Sequence, residues 1–319
     1  MLATLTRSRM FPRAALDGYH PLLSGVLLGV MAVAGGAGMA LMAAAGEPGE
    51  PMRLERLTED GQFKLRPSWS PDGRILLFAR VGVDSIRTFR RDCQARVEQP
   101  LSEENHMQWD AVYSPDGQWI AVTHDAASPN QGNMDVWLLD VNSGKWSVLI
   151  GDAGKLSHEE YPSWSPDGKR LVFTSTRDGN PELYVIDREG KNLKRLTTYP
   201  GTDTHPNWSP DGTRIAWATD RWGSLEIAIM SVEGELLERL TQNDWLDDYP
   251  CWSPDGRYLA WMSHQGGQYE IYVMDLESRQ TFNASCHPAA DMFPSWRSDG
   301  RLCWVSQRDG VWDIYLTEP

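Results

Sequence analysis

Between residues 161 and 197 the apolar positions fall into short runs, each closed by residues that turn a chain. Pro162-Ser163-Trp164-Ser165 is a short extended run, and Pro166-Asp167-Gly168 is a turn. Arg170–Ser175 is β-branched and aromatic and reads as a strand, followed by the turn signal Arg177-Asp178-Gly179-Asn180. Glu182–Asp187 reads as a third strand, Glu189-Gly190-Lys191 as a third turn, and 193–197 as a fourth strand. Short runs separated by tight turns predict a four-stranded antiparallel meander.

The meander repeats. Its first turn, Ser165-Pro166-Asp167-Gly168, recurs as Ser70-Pro71-Asp72-Gly73, Ser114-Pro115-Asp116-Gly117, Ser209-Pro210-Asp211-Gly212, Ser253-Pro254-Asp255-Gly256 and a worn Arg297-Ser298-Asp299-Gly300. The steps from Asp72 through Asp116, Asp167, Asp211 and Asp255 to Asp299 are 44, 51, 44, 44 and 44 residues. Such a period marks stacked supersecondary units, and six meanders fall within the ~4–8 blades of a β-propeller. In the turn, Pro presets φ, Asp accepts from neighbouring backbone N–H groups and Gly takes the left-handed position, so these six aspartates read as structural. Trp69, Trp164, Trp208, Trp252 and Trp296, with Tyr113 in the second copy, stand just before the turns and are expected to pack between blades. Residues 53–58 look like a fourth strand and residues 312–316 like a third, so 53–58 is expected to complete the sixth blade. The predicted fold class is all-β: a six-bladed propeller of four-stranded antiparallel blades over residues 47–319.

The consensus is Leu-Thr, a spacer, Pro-x-Trp-Ser-Pro-Asp-Gly, an apolar strand, Arg-Asp-Gly and Ile-Tyr-Val-Met-Asp. It resembles the WD40-like repeats of the TolB-type six-bladed propeller, over roughly residues 52–319. The resemblance implies a bacterial periplasmic protein that binds an envelope protein or lipoprotein, with no cofactor. TolB itself has an α/β domain before its propeller that is not seen in this sequence, so a Tol–Pal role does not carry over with the resemblance. Similar repeats accompany prolyl-oligopeptidase-type hydrolases, but the Gly-x-Ser-x-Gly elbow of those enzymes is missing here.

Residues 1–46 form a segment of their own. Arg7, Arg9 and Arg13 precede an uncharged run over residues 21–45, and Glu47 and Glu50 follow it. That polarity places the N-terminus in the cytoplasm, and the run is about as long as the ~20 residues of a spanning helix. It reads as a helical inner-membrane anchor; the alternative is a cleavable signal ending at Ala43-Ala44-Ala45. Either way the rest is expected to be periplasmic, or at least extracytoplasmic. After residue 45 there are 27 basic and 43 acidic side chains, a balance of -16, which argues against a nucleic-acid partner. Cys93, Cys251, Cys286 and Cys303 show no Cys-x-x-Cys spacing, and no Cys93–Cys286 disulfide is expected.

Shared positions build the fold, so function is sought where the copies differ. Three residues before the repeated Pro they read Lys64, Gln108, Glu159, Asp203, Asp247 and Asp291. With Asp248, Glu160, His158 and His205 these predict an acidic channel mouth. Loop carboxylates can simply cap turns; the functional readings are a docking ring for a cationic partner segment, or a calcium or manganese site. The second copy is seven residues longer, around 126–133 and 151–158, and the first has Arg87, Arg90 and Arg91 where others have apolar residues. The leading reading is a non-enzymatic, monomeric envelope scaffold binding a protein partner at Glu159, Asp203, His205, Asp247, Asp248 and Asp291. The alternative is a periplasmic metal-dependent lyase or hydrolase acting in the channel.

Overall fold

A computed structural model describes residues 54–83, 85–102, 107–125, 133–151 and 156–317. Six four-stranded antiparallel sheets follow one another around an axis, each beginning with an innermost strand: Lys64–Trp69, Met107–Tyr113, Glu159–Trp164, Asp203–Trp208, Asp247–Trp252 and Asp291–Trp296. The third blade continues with Arg170–Ser175, Glu182–Asp187 and Lys194–Arg195, so the runs read from its sequence are its strands. The sixth blade takes its outer strand from the other end of the chain. Leu54–Arg56 pairs antiparallel with Asp313–Thr317, in the register Leu54↔Thr317, Glu55↔Leu316 and Arg56↔Tyr315.

That join is buttoned by polar contacts. Asp313, fully buried, accepts from Thr58 Oγ1 at 2.7 Å and from Lys64 Nζ at 3.0 Å, and is paired with Arg56. One carboxylate thus ties the first strand, the last strand and the first innermost strand together.

The repeated turn is built as its residue types dictate. Ser165 Oγ donates to Asp167 Oδ1 at 2.6 Å, Asp167 Oδ1 accepts from the Lys169 N–H at 3.1 Å, and Gly168 has φ +68°. The serine hydroxyl and the backbone N–H hold the Asp167 carboxyl below its usual range. The turns of the fourth and fifth blades also lean on the previous blade's turn: a Cβ on Gly212 would stand 3.1 Å from Pro166 Cγ, and one on Gly256 3.2 Å from Pro210 Cγ. The indoles before the turns reach across as well, Trp164 Nε1 donating to Val112 O, Trp252 Nε1 to Asn207 O and Trp296 Nε1 to Cys251 O, each at 3.2 Å. The core is therefore a circuit of apolar layers between blades.

The anchor or signal expected over residues 1–46 and the insertion at 126–132 lie outside the described residues. Among the described residues, no helix is long and apolar enough to cross a membrane. The four cysteines are free thiols.

Candidate functional site

Every innermost strand runs from the face carrying the loops that enter the blades, the entry face, to the face carrying the Ser-Pro-Asp-Gly turns, the turn face. Each breaks register with its neighbour once, between Leu65 and Ser68, Trp109 and Val112, Glu160 and Ser163, Thr204 and Asn207, Asp248 and Cys251, and Met292 and Ser295. At the bulge one residue per blade takes a positive φ: Arg66 (39°), Asp110 (54°), Tyr161 (59°), His205 (50°), Tyr249 (55°) and Phe293 (58°). Proline follows five of the six, which removes a backbone donor the bulge would strand and disfavours the right-handed helical region for the residue before it. Non-glycine residues in this region cost on the order of 1–3 kcal/mol each and persist where their surroundings over-determine them.

The surroundings are one another. The His205 ring lies 3.8 Å from the Tyr249 ring and 4.1 Å from Tyr161, and Tyr249 meets Phe293 edge-on at 4.8 Å. The Arg66 guanidinium sits over Tyr161 at 4.8 Å and over Tyr249 at 5.4 Å, and 3.4 Å from Asp110 Oδ1. These six side chains form a plug across the channel, and of the six only Arg66 is appreciably open to solvent.

The carboxylates read from the sequence as an accessible rim are placed differently. Glu159, Asp203, Asp247 and Asp291 are all fully buried. Glu159 takes Arg177 at 2.9 Å and Ser175 Oγ at 2.8 Å. Asp203 takes Trp217 Nε1 at 3.0 Å and Arg221, Asp247 takes Asn243 Nδ2 at 2.7 Å, and Asp291 takes Trp304 Nε1 at 2.8 Å with Arg308 at 3.7 Å. These residues open the strand, and their side chains turn into their own blade, where a second-strand indole or the arginine after it meets Glu159, Asp203 and Asp291, and Asn243 of the entry loop meets Asp247. Lys64 is also fully buried, and Gln108 nearly so. Burial pushes the Asp291 carboxyl up to about 7. The charges counted towards a docking ring are spent inside the fold.

His205 and Asp248 do come together: His205 Nδ1 lies 2.6 Å from Asp248 Oδ1, and both are buried. Glu160 is buried beside Asp110, and burial, reinforced by that neighbouring carboxyl, pushes it up to about 8. His158 sits half-buried, its Nδ1 3.9 Å from Glu160. Reading the sequence missed Arg66, Asp110, Tyr161, Tyr249 and Phe293. The signal was the residue before the repeated Pro, which reads Arg, Asp, Tyr, His, Tyr and Phe across the six copies.

Two cavities matter. A pit of about 120 Å³ lies on the turn-face side of the plug, lined among others by Arg66, Asp110, His205, Asn207, Tyr249 and Phe293. A larger groove of about 640 Å³ lies between the first and second blades, lined among others by Arg90, Gln108, His124, Trp137 and Trp146. Arg87 and Arg91 are tied within their own blade, to Ser102 O at 3.0 Å and to Glu98 at 3.7 Å. Among the described residues no three His, Cys, Asp or Glu side chains are grouped so as to hold a metal ion.

On the entry face, Trp222 and Trp245 are exposed, in the turn after the fourth blade's second strand and in the loop entering the fifth. The two loops touch, Ser224 Oγ donating to Asn243 O at 3.3 Å.

Residues 128–249 match the family model described as "TolB beta propeller domain". Among curated proteins, Tricorn protease homolog 1 of Streptomyces coelicolor is 37% identical over 83 residues, 26% of this chain and 7% of that protein. The oligogalacturonide lyase of Pectobacterium atrosepticum is 26% identical over 159 residues, 44% of this chain and 40% of that one. The chain therefore spans less than half the length of either relative. A solved structure described as TolB from Agrobacterium tumefaciens superposes with a TM-score of 0.64 at 23% identity, covering 81% of this chain and 91% of that one, a likeness of fold.

Proposed function

From the premise that this is a TolB-like six-bladed propeller, we propose that the chain is a non-enzymatic scaffold of the cell envelope that binds a protein partner on its entry face. The observation that carries this reading is the exposed pair Trp222 and Trp245 on touching loops of that face. Large aromatic residues, tryptophan above all, dominate interface hot spots, and fixed loops present them with little ordering cost. Asp220 and Asp244 flank the pair in sequence and suit a partner with basic residues around an apolar centre. Glu159, Asp203, Asp247 and Asp291 support this face from beneath by pinning the strands from which its loops spring. The partner is an envelope protein or lipoprotein, and the propeller acts as a monomer in the periplasm.

The test is capture from an envelope extract by wild type, by Trp222→Ala/Trp245→Ala, and by Phe282→Ala, a change at an exposed outer-strand residue. Loss of the same captured protein with the tryptophan pair alone is the expected result. Equal capture by all three sinks the reading.

A lyase or hydrolase working in the channel is the second reading. The His205–Asp248 pair favours it, because a carboxylate-oriented imidazole is the usual form of a general base. Such an enzyme would lose turnover in His205→Gln while keeping the captured protein.

A further inference from the structure

The pit on the turn-face side of the plug has a chemistry that the scaffold reading does not use, and it lies at the opposite end of the channel from Trp222 and Trp245. The residues that lead into the channel from the entry face, Leu65, Trp109, Glu160, Thr204, Asp248 and Met292, are all buried, so the pit is blind and opens towards the turns. Its floor carries polar atoms that the fold leaves unmatched. His205 is only 3% exposed, and its Nε2 has no hydrogen-bond partner. In the tautomer that donates Nδ1–H to the Asp248 carboxylate at 2.6 Å, Nε2 presents a lone pair and asks for a donor. Arg66 Nη1 is buried and makes no hydrogen bond, standing 3.4 Å from Asp110 as a loose ion pair, and asks for an acceptor. Asn207 spends its Oδ1 on the Trp252 N–H at 3.0 Å, which leaves its amide nitrogen as a second donor in the wall. The remaining lining includes Pro67, Pro250, Pro294 and Phe293, which are apolar.

We propose that this pit is a binding site for a small carboxylate that carries a hydrogen-bond donor on its α-carbon. The carboxylate meets Arg66 and the Asn207 amide, the α-donor meets His205 Nε2, and the apolar walls receive a small side chain. A neutral polyol gives Arg66 Nη1 no anion closer than Asp110 at 3.4 Å. A pit of about 120 Å³ suits a ligand of about six heavy atoms, since an engineered cavity of ~150 Å³ takes up benzene. Burial pushes the Asp110 carboxyl up, which weakens the hold of the internal anion on Arg66 in favour of an incoming one. Two sources share this chemistry: a free α-hydroxy acid, and the carboxyl terminus of a polypeptide, whose last N–H sits on the α-carbon.

The experiment titrates the full chain by calorimetry with L-lactate, N-acetyl-L-alanine, propionate and glycerol. Saturable binding of lactate, of N-acetylalanine or of both is expected, with propionate about tenfold weaker for want of the donor and glycerol not bound. Preference for lactate assigns the site to a free acid, and preference for N-acetylalanine to a peptide terminus. Arg66→Met abolishes carboxylate binding, and His205→Gln brings the better ligand down towards propionate. Since both residues belong to the plug, Asn207→Asp serves as the fold-sparing variant: it keeps the acceptor for Trp252 N and places a second anion in the wall, weakening carboxylate binding at least tenfold. Absence of saturable binding by every carboxylate, showing a pit filled by water only, overturns the proposal. So does equal binding by Asn207→Asp and wild type.

Discussion

Glu160 is a buried carboxyl with one oxygen that has no hydrogen-bond partner, and its ionisation is pushed up to about 8. A carboxyl held above its unfolded range favours the folded state in its protonated form. Its contribution is complete below about 4.3, the unfolded value, and is lost as pH rises from there towards 8. Glu160→Gln stays uncharged throughout. Urea midpoints at pH 5 and pH 8 are therefore expected to fall more for wild type than for Glu160→Gln; parallel falls refute the assignment. Asp291, pushed up to about 7, adds to the wild-type slope and is common to both proteins. At this scale the sequence was least legible. Spacing placed Glu159, Asp203, Asp247 and Asp291 in the loops entering the innermost strands, at the channel rim, whereas they open the strands themselves, and spacing carries no information on which way a side chain then turns. Acidic residues one position apart, Asp247 and Asp248, end with different fates. The first is fixed within its blade by Asn243, and the second reaches into the channel to His205.

The blade was the legible unit. Pro, Asp and Gly fix a turn through their own backbone preferences, and the period counts the turns, so strands such as Arg170–Ser175 and Glu182–Asp187 follow from local chemistry. What local chemistry could not show is that the turns also touch one another around the ring. Two glycines separate the effects. Gly144, φ +70°, has nothing within 4 Å of a built Cβ, whereas Gly212, φ +75°, faces Pro166 at 3.1 Å. Gly144→Ala is expected to cost about 1–2 kcal/mol for the left-handed backbone alone. Gly212→Ala is expected to cost at least ~1 kcal/mol more, because a methyl is forced into the neighbouring turn. Equal losses in denaturant unfolding would show that neighbouring turns do not support each other.

For the molecule as a whole, stability depends on the join between its ends. Asp313→Asn removes the fully buried one of the two carboxylates that hold Lys64, leaving the partly exposed Asp60, and also takes the charge partner from Arg56. Breaking a buried pair costs about 3–5 kcal/mol, which in a propeller of this size lowers the melting temperature by roughly 10 °C. Deleting residues 52–58 removes the closing strand outright and is expected to lower it further. Unchanged melting in the deletion would mean that the sixth blade does not need Leu54–Arg56.

The same join sets an order of events during synthesis. Leu54–Arg56 leaves the ribosome among the first parts of the propeller, and its partner Asp313–Thr317 leaves among the last. Until Asp313–Thr317 has been made, the earliest strand of the propeller has no mate, and afterwards the sixth blade waits for it with an open edge. Two newly made chains held close together can each lend that strand to the other, so the completed ring competes with an exchanged pair during that interval.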